Sequence, residues 1–267
     1  TIAGAIFDQR TGFDGIVVSH GTDTMAYTAS AVTFMLPNID IPVVFTGSQL
    51  PLADILSDGP DNLRTAFAMA AAGHPGVFLA FDRRVMLGCR GVKIKTSGFD
   101  AFESINYPAV ARVTGSGLEV REHLLPQLKG KFKLQDGLES HVFLLKLTPG
   151  IDPAIFDLLI QAEYKGVLIE AFGAGGLHYV NRDLYSKLEA LRQADIPVVV
   201  ASQCLYEKSD LSKYEVGLRA LEKGVISAHD MTSEAAFTKL MWVLGQTSGV
   251  ENVRKWFETD LCHEITL

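Results

Sequence analysis

Cysteine is scarce in this 267-residue chain, and the three present, Cys89, Cys204 and Cys262, are odd in number and widely spaced. Sequence alone builds neither a disulfide framework nor a Cys-x-x-Cys metal pair on them, so reduced thiols and a cytoplasmic compartment are expected. Long apolar runs are missing too. The runs at 42–45, 76–80 and 196–201 fall far short of the ~20 residues of a membrane span, so no membrane association is expected. Nor is there a surplus of positive charge. Lys and Arg number 24 against 31 Asp and Glu, a net charge of −7, which argues against a nucleic-acid partner because such affinity rests largely on neutralising phosphates. The seven histidines have neither paired nor His-Glu-x-x-His spacing, which predicts no metal site, and no phosphate-loop lysine motif occurs. An initiating Met and a signal-peptide pattern are also lacking. Residues 1–7 instead carry Ile2, Ala5 and Ile6 on one helical face, as if the chain opened in mid-unit.

What is present is the balance of a packed globular protein, 48% apolar and 21% charged. At roughly 150 residues per domain the length suits two domains or one large one. From Gly15 onward short apolar runs alternate with segments of helical period, the signature of a parallel sheet covered by helices. Strands are predicted at 15–19, 42–45 and 77–81. Met25, Ala29, Val32 and Leu36 mark one intervening helix, stopped by Pro37, and Leu63, Ala66, Phe67 and Ala70 mark another that starts near Pro60. This is a βαβαβ unit. Between 98 and 140 the periodicity weakens and glycines accumulate, so a domain boundary is placed there, giving domains 1–135 and 136–267. The second run predicts strands at 142–147, 167–172 and 196–201, and helices at 153–159 and 181–194. Phe237, Leu240, Met241 and Leu244 face a last helix. The fold class is α/β: two doubly wound domains with mostly parallel sheets, the N-terminal one larger.

Open parallel sheets bind ligands where strands end and helices begin. The first such turn is His20-Gly21-Thr22-Asp23-Thr24, which offers a hydroxyl, a carboxylate and a flexible backbone ahead of the N–H groups of a helix start. Those groups suit a polar molecule bearing an ammonium group and a polarised carbonyl. Thr and Asp are also ordinary helix caps, and both readings stand. The second loop, 46–49 with 57–62, reads mainly as turn and cap chemistry, with Ser57 or Asp58 as N-cap and Asn62 bonding backbone. The third, 90–96, contains Lys93 and Lys95. Either is a solvated surface residue or, if desolvated beside a hydroxyl, a base that activates it. Gly173-Ala174-Gly175-Gly176 matches a dinucleotide loop only in part, because His178 stands at the third glycine position. Cys204, past a strand end, reads as a small buried hydrophobe.

The segments GIVVSHGTDTMAY (15–27), VVFTGSQL (43–50), SDGPDNL (57–63) and GFDAF (98–102) resemble the bacterial-type L-asparaginases, especially the cytoplasmic type I branch. KGVLIEAFGAG (165–175), PVVVASQC (197–204) and DMTSEAAFTKL (230–240) extend the likeness over nearly the whole chain. The resemblance implies hydrolysis of asparagine to aspartate and ammonia by threonine-dependent acyl transfer, without metal or organic cofactor, in a homodimer or dimer of dimers. It implies that Thr22 and Lys93 belong to a Thr–Asp–Lys relay, with Lys95 as the competing lysine. It further implies that Asp23 holds the substrate ammonium, that Gly21 lines the substrate, and that Ser48 falls where a family backbone carbonyl meets the substrate amide. The family's other catalytic threonine lies in an upstream Thr-Gly-Gly-Thr loop not found in these 267 residues. The resemblance implies that in a complete enzyme that threonine is the nucleophile, with Thr22 and Lys93 as the relay on the opposite side of the substrate, and without it Thr22 is the only motif hydroxyl. The chain is therefore expected to be a fragment of a longer enzyme, to receive that segment from another polypeptide, or to be a truncated non-catalytic paralogue. A related component of tRNA-dependent amidotransferases is the other alternative. Preference for asparagine over glutamine and a regulatory asparagine site near Glu170 and Cys204 stay open.

Overall fold

The computed structural model describes residues 1–177 and 182–266. The chain divides into two compact units, Thr1–Asp136 with Leu261–His263, and Gly137–Asp260 with Glu264–Leu267.

In the first unit, helix α1 (Ile2–Gln9) precedes strand β1 (Ile16–Ser19), helix α2 (Met25–Met35), β2 (Pro42–Thr46), helix α3 (Gly59–Ala71) and β3 (Gly76–Phe81). Strands β4 (Arg84–Leu87), β5 (Gly91–Lys93), β6 (Phe102–Ser104), β7 (Ala111–Thr114) and β8 (Gly117–Val120) follow. β1, β2 and β3 pair in parallel, and β4, β7 and β8 continue the same sheet antiparallel, in the order β1-β2-β3-β4-β7-β8. β5 and β6 form a separate two-stranded ribbon. The βαβαβ reading thus describes half of this sheet, and the antiparallel half is an addition to it.

Every residue of β2 and β3 is buried, as expected of strands covered on both faces, which read as unbroken apolar runs. Alternation places Val43, Phe45, Val77, Leu79 and Phe81 in one cluster with Met25, Ala29 and Val32 of α2. It leaves Val44 and Phe78 for the opposite face, where α3 buries Ala66 and Met69. α2 is buried beyond its predicted stripe, with Ala26, Ser30 and Phe34 also inside. The turn after β4 comes so close to it that a Cβ on Gly88 would stand 2.8 Å from Thr33 Oγ1. α1 differs from expectation in its face: Ala3 and Ile6 are buried while Ala5 is exposed. β1 is an edge strand.

The second unit is a four-stranded, wholly parallel sheet in the order β12-β11-β10-β9. Its strands are β9 (Val142–Lys146), β10 (Gly166–Ala171), β11 (Val198–Ser202) and β12 (Ile226–Ser227). Its helices are α4 (Ala154–Gln161), α5 (Leu184–Gln193), α6 (Glu215–Glu222), α7 (Ser233–Gln246) and α8 (Val250–Phe257). The predicted start of the α5 helix at Asn181, and His178, lie outside the described residues. Thr232 caps α7 by accepting from the Ala235 N–H, and Asp183 caps α5 likewise from Ser186. Gly175 sits at φ 111° in a tight turn closed by the Phe172–Gly176 bridge, and a Cβ there would meet Leu211 at 2.3 Å. The glycine run at 173–176 is therefore a packed turn, which accounts for its composition without a phosphate. Cys204 is exposed, contrary to the buried reading, because it follows the end of β11 on a loop.

Candidate active site

Strand β1 ends at Ser19, and the His20 N–H donates to Thr46 O, which ties the start of the 20–24 turn to the end of β2. Asp23 and Thr24 lead directly into α2. Neither caps it through its side chain: Thr24 occupies the N-cap position without a side-chain hydrogen bond. The cap explanation of this polar turn therefore fails, and its side chains are committed elsewhere.

Lys93 supplies the commitment. It is the last residue of β5, in register with Phe102 of β6, and Val92 beside it is buried, so the alternation turns Lys93 the other way. Its Nζ donates to Thr22 Oγ1 at 2.8 Å and to Asp23 Oδ1 at 2.5 Å. The amine is mostly covered, with 18% of the side chain exposed, whereas Asp23 is 91% exposed. The carboxylate thus forms the open rim of the site and the amine its floor. Lys95 is placed differently. It pairs with Asp100, whose carboxyl is held below the usual carboxylate range chiefly by that hydrogen bond, and so it stands outside the Thr22 cluster.

Gln49 joins the cluster, although its loop reads in the sequence as turn chemistry. The Thr22 hydroxyl donates to Gln49 Oε1 at 3.3 Å. Gln49 Nε2 donates to Thr96 O and Gly98 O, each at 3.1 Å, so the amide cannot flip without losing both bonds. The Thr22 oxygen therefore lies between a donor amine and an acceptor amide with its O–H direction fixed. No local pattern signals this, because the partners are 27 and about 48 residues distant.

Below Gln49 the loop is braced by Asp58. It occupies the N-cap position of α3, as one reading of the sequence has it, yet its carboxylate does not cap the helix. It accepts instead from the N–H groups of Gln49 and Leu50 and from Asn62 Nδ2. Asn62 bonds backbone as expected, donating to Gly47 O and accepting from the Asp82 N–H. Ser48 is half-buried between Gly47 and Gln49, and Gly21 is exposed, its carbonyl accepting from His20 Nδ1 at 2.7 Å. Gly47 allows this approach: a Cβ there would lie 2.4 Å from His20 O and 3.4 Å from Thr22 Cγ2. Gly47→Ala is accordingly expected to cost about 2 kcal/mol in urea unfolding through forced separation of the two loops. A variant as stable as the parent would show that the loops are not in contact.

The arrangement offers a hydroxyl in contact with an amine, an exposed carboxylate beside it, and the backbone N–H groups at the start of α2. It can bind a cationic group at the rim and move a proton at the floor. Among the described residues no group of three or more His, Cys, Asp or Glu is placed to hold a metal ion, and no helix is long and apolar enough to cross a membrane. In the second unit, Glu170 lies 3.8 Å from Lys146, and the nearby Glu234 carboxyl is pushed above its ordinary value, first by burial and further by the charge of Glu170.

Comparison with known proteins gives two family models that match along the chain. The asparaginase N-terminal domain matches residues 1–126, and the glutaminase/asparaginase C-terminal domain residues 141–257. An L-asparaginase of Thermococcus kodakarensis is 46% identical across the whole chain, which spans 80% of that relative. The solved structure of the thermostable L-asparaginase from that organism superposes with a TM-score of 0.95 at 45% identity, over 99% of this chain and 80% of that one. A glutamyl-tRNA(Gln) amidotransferase component from Pyrococcus abyssi is 37% identical over 96% of the chain, which spans 60% of its length.

Proposed function

The chain belongs to the asparaginase family, and from that premise we propose that it is an amidohydrolase cleaving L-asparagine to L-aspartate and ammonia at the Thr22 site. The observation that carries the site is the contact of Lys93 with both Thr22 and Asp23. The substrate α-ammonium binds the exposed Asp23 carboxylate and draws it from Lys93. With its carboxylate partner drawn away, Lys93 loses its extra proton to solvent. The Thr22 hydroxyl then turns its hydrogen from Gln49 to the neutral Lys93 amine, gives up the proton there and attacks the side-chain carbonyl. Backbone N–H groups at the start of α2 hold the developing oxyanion, and Ser48 and Gly21 line the amide. The tetrahedral intermediate collapses as Lys93 returns the proton to the leaving nitrogen, and water then cleaves the Thr22 ester. Gln49 holds the Thr22 oxygen in place until the proton moves.

The test is product stoichiometry. The natural gene product, purified and incubated with L-asparagine, is expected to yield aspartate and ammonium in equal amounts, and absence of both would refute the reading. Asp23→Ala is expected to raise KM by about tenfold or more, at least as much as it lowers kcat, because a charged hydrogen bond to the ground state is lost. An unaltered KM would remove the ammonium contact. The match to an amidotransferase component supports a second reading, ammonia supply to tRNA-bound substrate. The higher identity to the asparaginase, 46% against 37%, and the charge of −7 favour the first, and a tRNA gel shift at physiological salt separates them. The type I branch, a cytoplasmic location and a homodimer or dimer of dimers complete the proposal on the strength of the motifs, and light scattering checks the assembly.

A further inference from the structure

Two of the three cysteines, 173 residues apart in sequence, meet in the first unit: Cys89 Sγ and Cys262 Sγ are 3.8 Å from each other. Cys89, in the turn between β4 and β5, is fully buried, and its thiol donates to Cys262 O at 3.7 Å. Cys262 is half-buried. The contact is held from both sides. Arg90, next to Cys89, donates from Nε to His263 O at 2.7 Å, and the His263 ring stacks on Tyr107 at 5.7 Å. Both cysteines line one cleft with Thr33, Pro37, Leu87 and Leu261, whose cavity of about 50 Å³ admits a molecule little larger than water.

We propose that Cys89 and Cys262 are a redox-modifiable pair that hydrogen peroxide converts to a disulfide. The Cys262 thiolate attacks one peroxide oxygen, the O–O bond breaks, and hydroxide leaves and is protonated to water, giving Cys262 sulfenic acid. The Cys89 sulfur then attacks the Cys262 sulfur, the S–O bond breaks, and the Cys89 proton leaves with the hydroxide as a second water. Two thiols and one peroxide become one disulfide and two waters. The more accessible sulfur is oxidised first and the buried one resolves it, since susceptibility follows exposure. A dithiol reverses the bond by exchange. Closure needs the sulfurs to approach by somewhat under 2 Å, to the ~2.05 Å of a disulfide. Rotation of the Cys262 side chain can supply this while the backbone beside it stays held by Arg90.

The test uses the folded full chain with Cys204→Ser, which removes the exposed third thiol. After mild peroxide treatment the intact mass is expected to fall by about 2 Da, and a cross-linked peptide joining positions 89 and 262 to appear. Dithiothreitol restores the mass, and Cys262→Ser or Cys89→Ser abolishes the cross-link. If either variant fails to fold, the cross-linked peptide from the parent still decides. Separate alkylation of both thiols after treatment and denaturation would overturn the proposal. So would Cys262 sulfinic acid beside an unchanged Cys89.

Discussion

Lys93→Met is expected to lower kcat about a thousandfold with the fold intact, the scale on which a positioned proton-transfer group contributes. The methionine keeps most of the covered aliphatic stem but cannot reach Thr22 Oγ1 with a donor or take its proton, and it leaves Asp23 without its ion-pair partner. Thr22→Ala is expected to lose as much. Because hydroxyl and amine act as one unit, the double variant is expected to be no worse than either single one. Steady-state ammonium release, read beside circular dichroism, checks all three. Near-normal turnover in Lys93→Met would take the amine out of the chemistry. The same change at Lys95 is expected to matter little, since that side chain is engaged with Asp100.

The largest expected effect on stability lies in the second unit. Lys239 of α7 and Glu264 are both completely buried, with Nζ 2.5 Å from Oε1. Lys239 also donates to Thr259 O at 3.1 Å and lies over the Phe257 ring. Lys239→Met takes the amine away from a fully buried carboxylate and is expected to cost about 3–5 kcal/mol in urea unfolding, a loss of roughly 10 °C in melting temperature. The double variant Lys239→Met, Glu264→Leu is expected to recover most of that loss, because two apolar side chains of similar volume leave no charge to desolvate. A single variant within about 1 kcal/mol of the parent, on the scale of an exposed pair, would mean that water reaches the pair.

The parallel cores were legible because strands covered on both faces leave little room for polar residues: β2, β3 and β10 are buried along nearly their whole length and stand out as apolar runs. The antiparallel half of the first sheet carries no such mark. β7 and β8 have an exposed face on which Arg112 pairs across the ribbon with Glu119, so their residues read as loop. The site divides in the same way. The 20–24 turn could be found because it follows an apolar run and exceeds what a cap requires. Lys93 could be told from Lys95 only by its distance to the GFDAF segment, which the structure places beside it through the pairing of Lys93 with Phe102. Gln49 carries no sequence signal because its three partners are brought to it by tertiary packing. Asp58 followed its sequence signal to the N-cap position and then turned its carboxylate to the loop.

A crystal structure of the chain with L-aspartate, the product, is the most direct test of the site. The amino group is expected on the Asp23 carboxylate and the side-chain carboxylate within hydrogen-bonding distance of the Thr22 hydroxyl, with the Lys93 amine still on that hydroxyl. Aspartate seated away from these three residues, or Lys93 turned out to solvent, would contradict it.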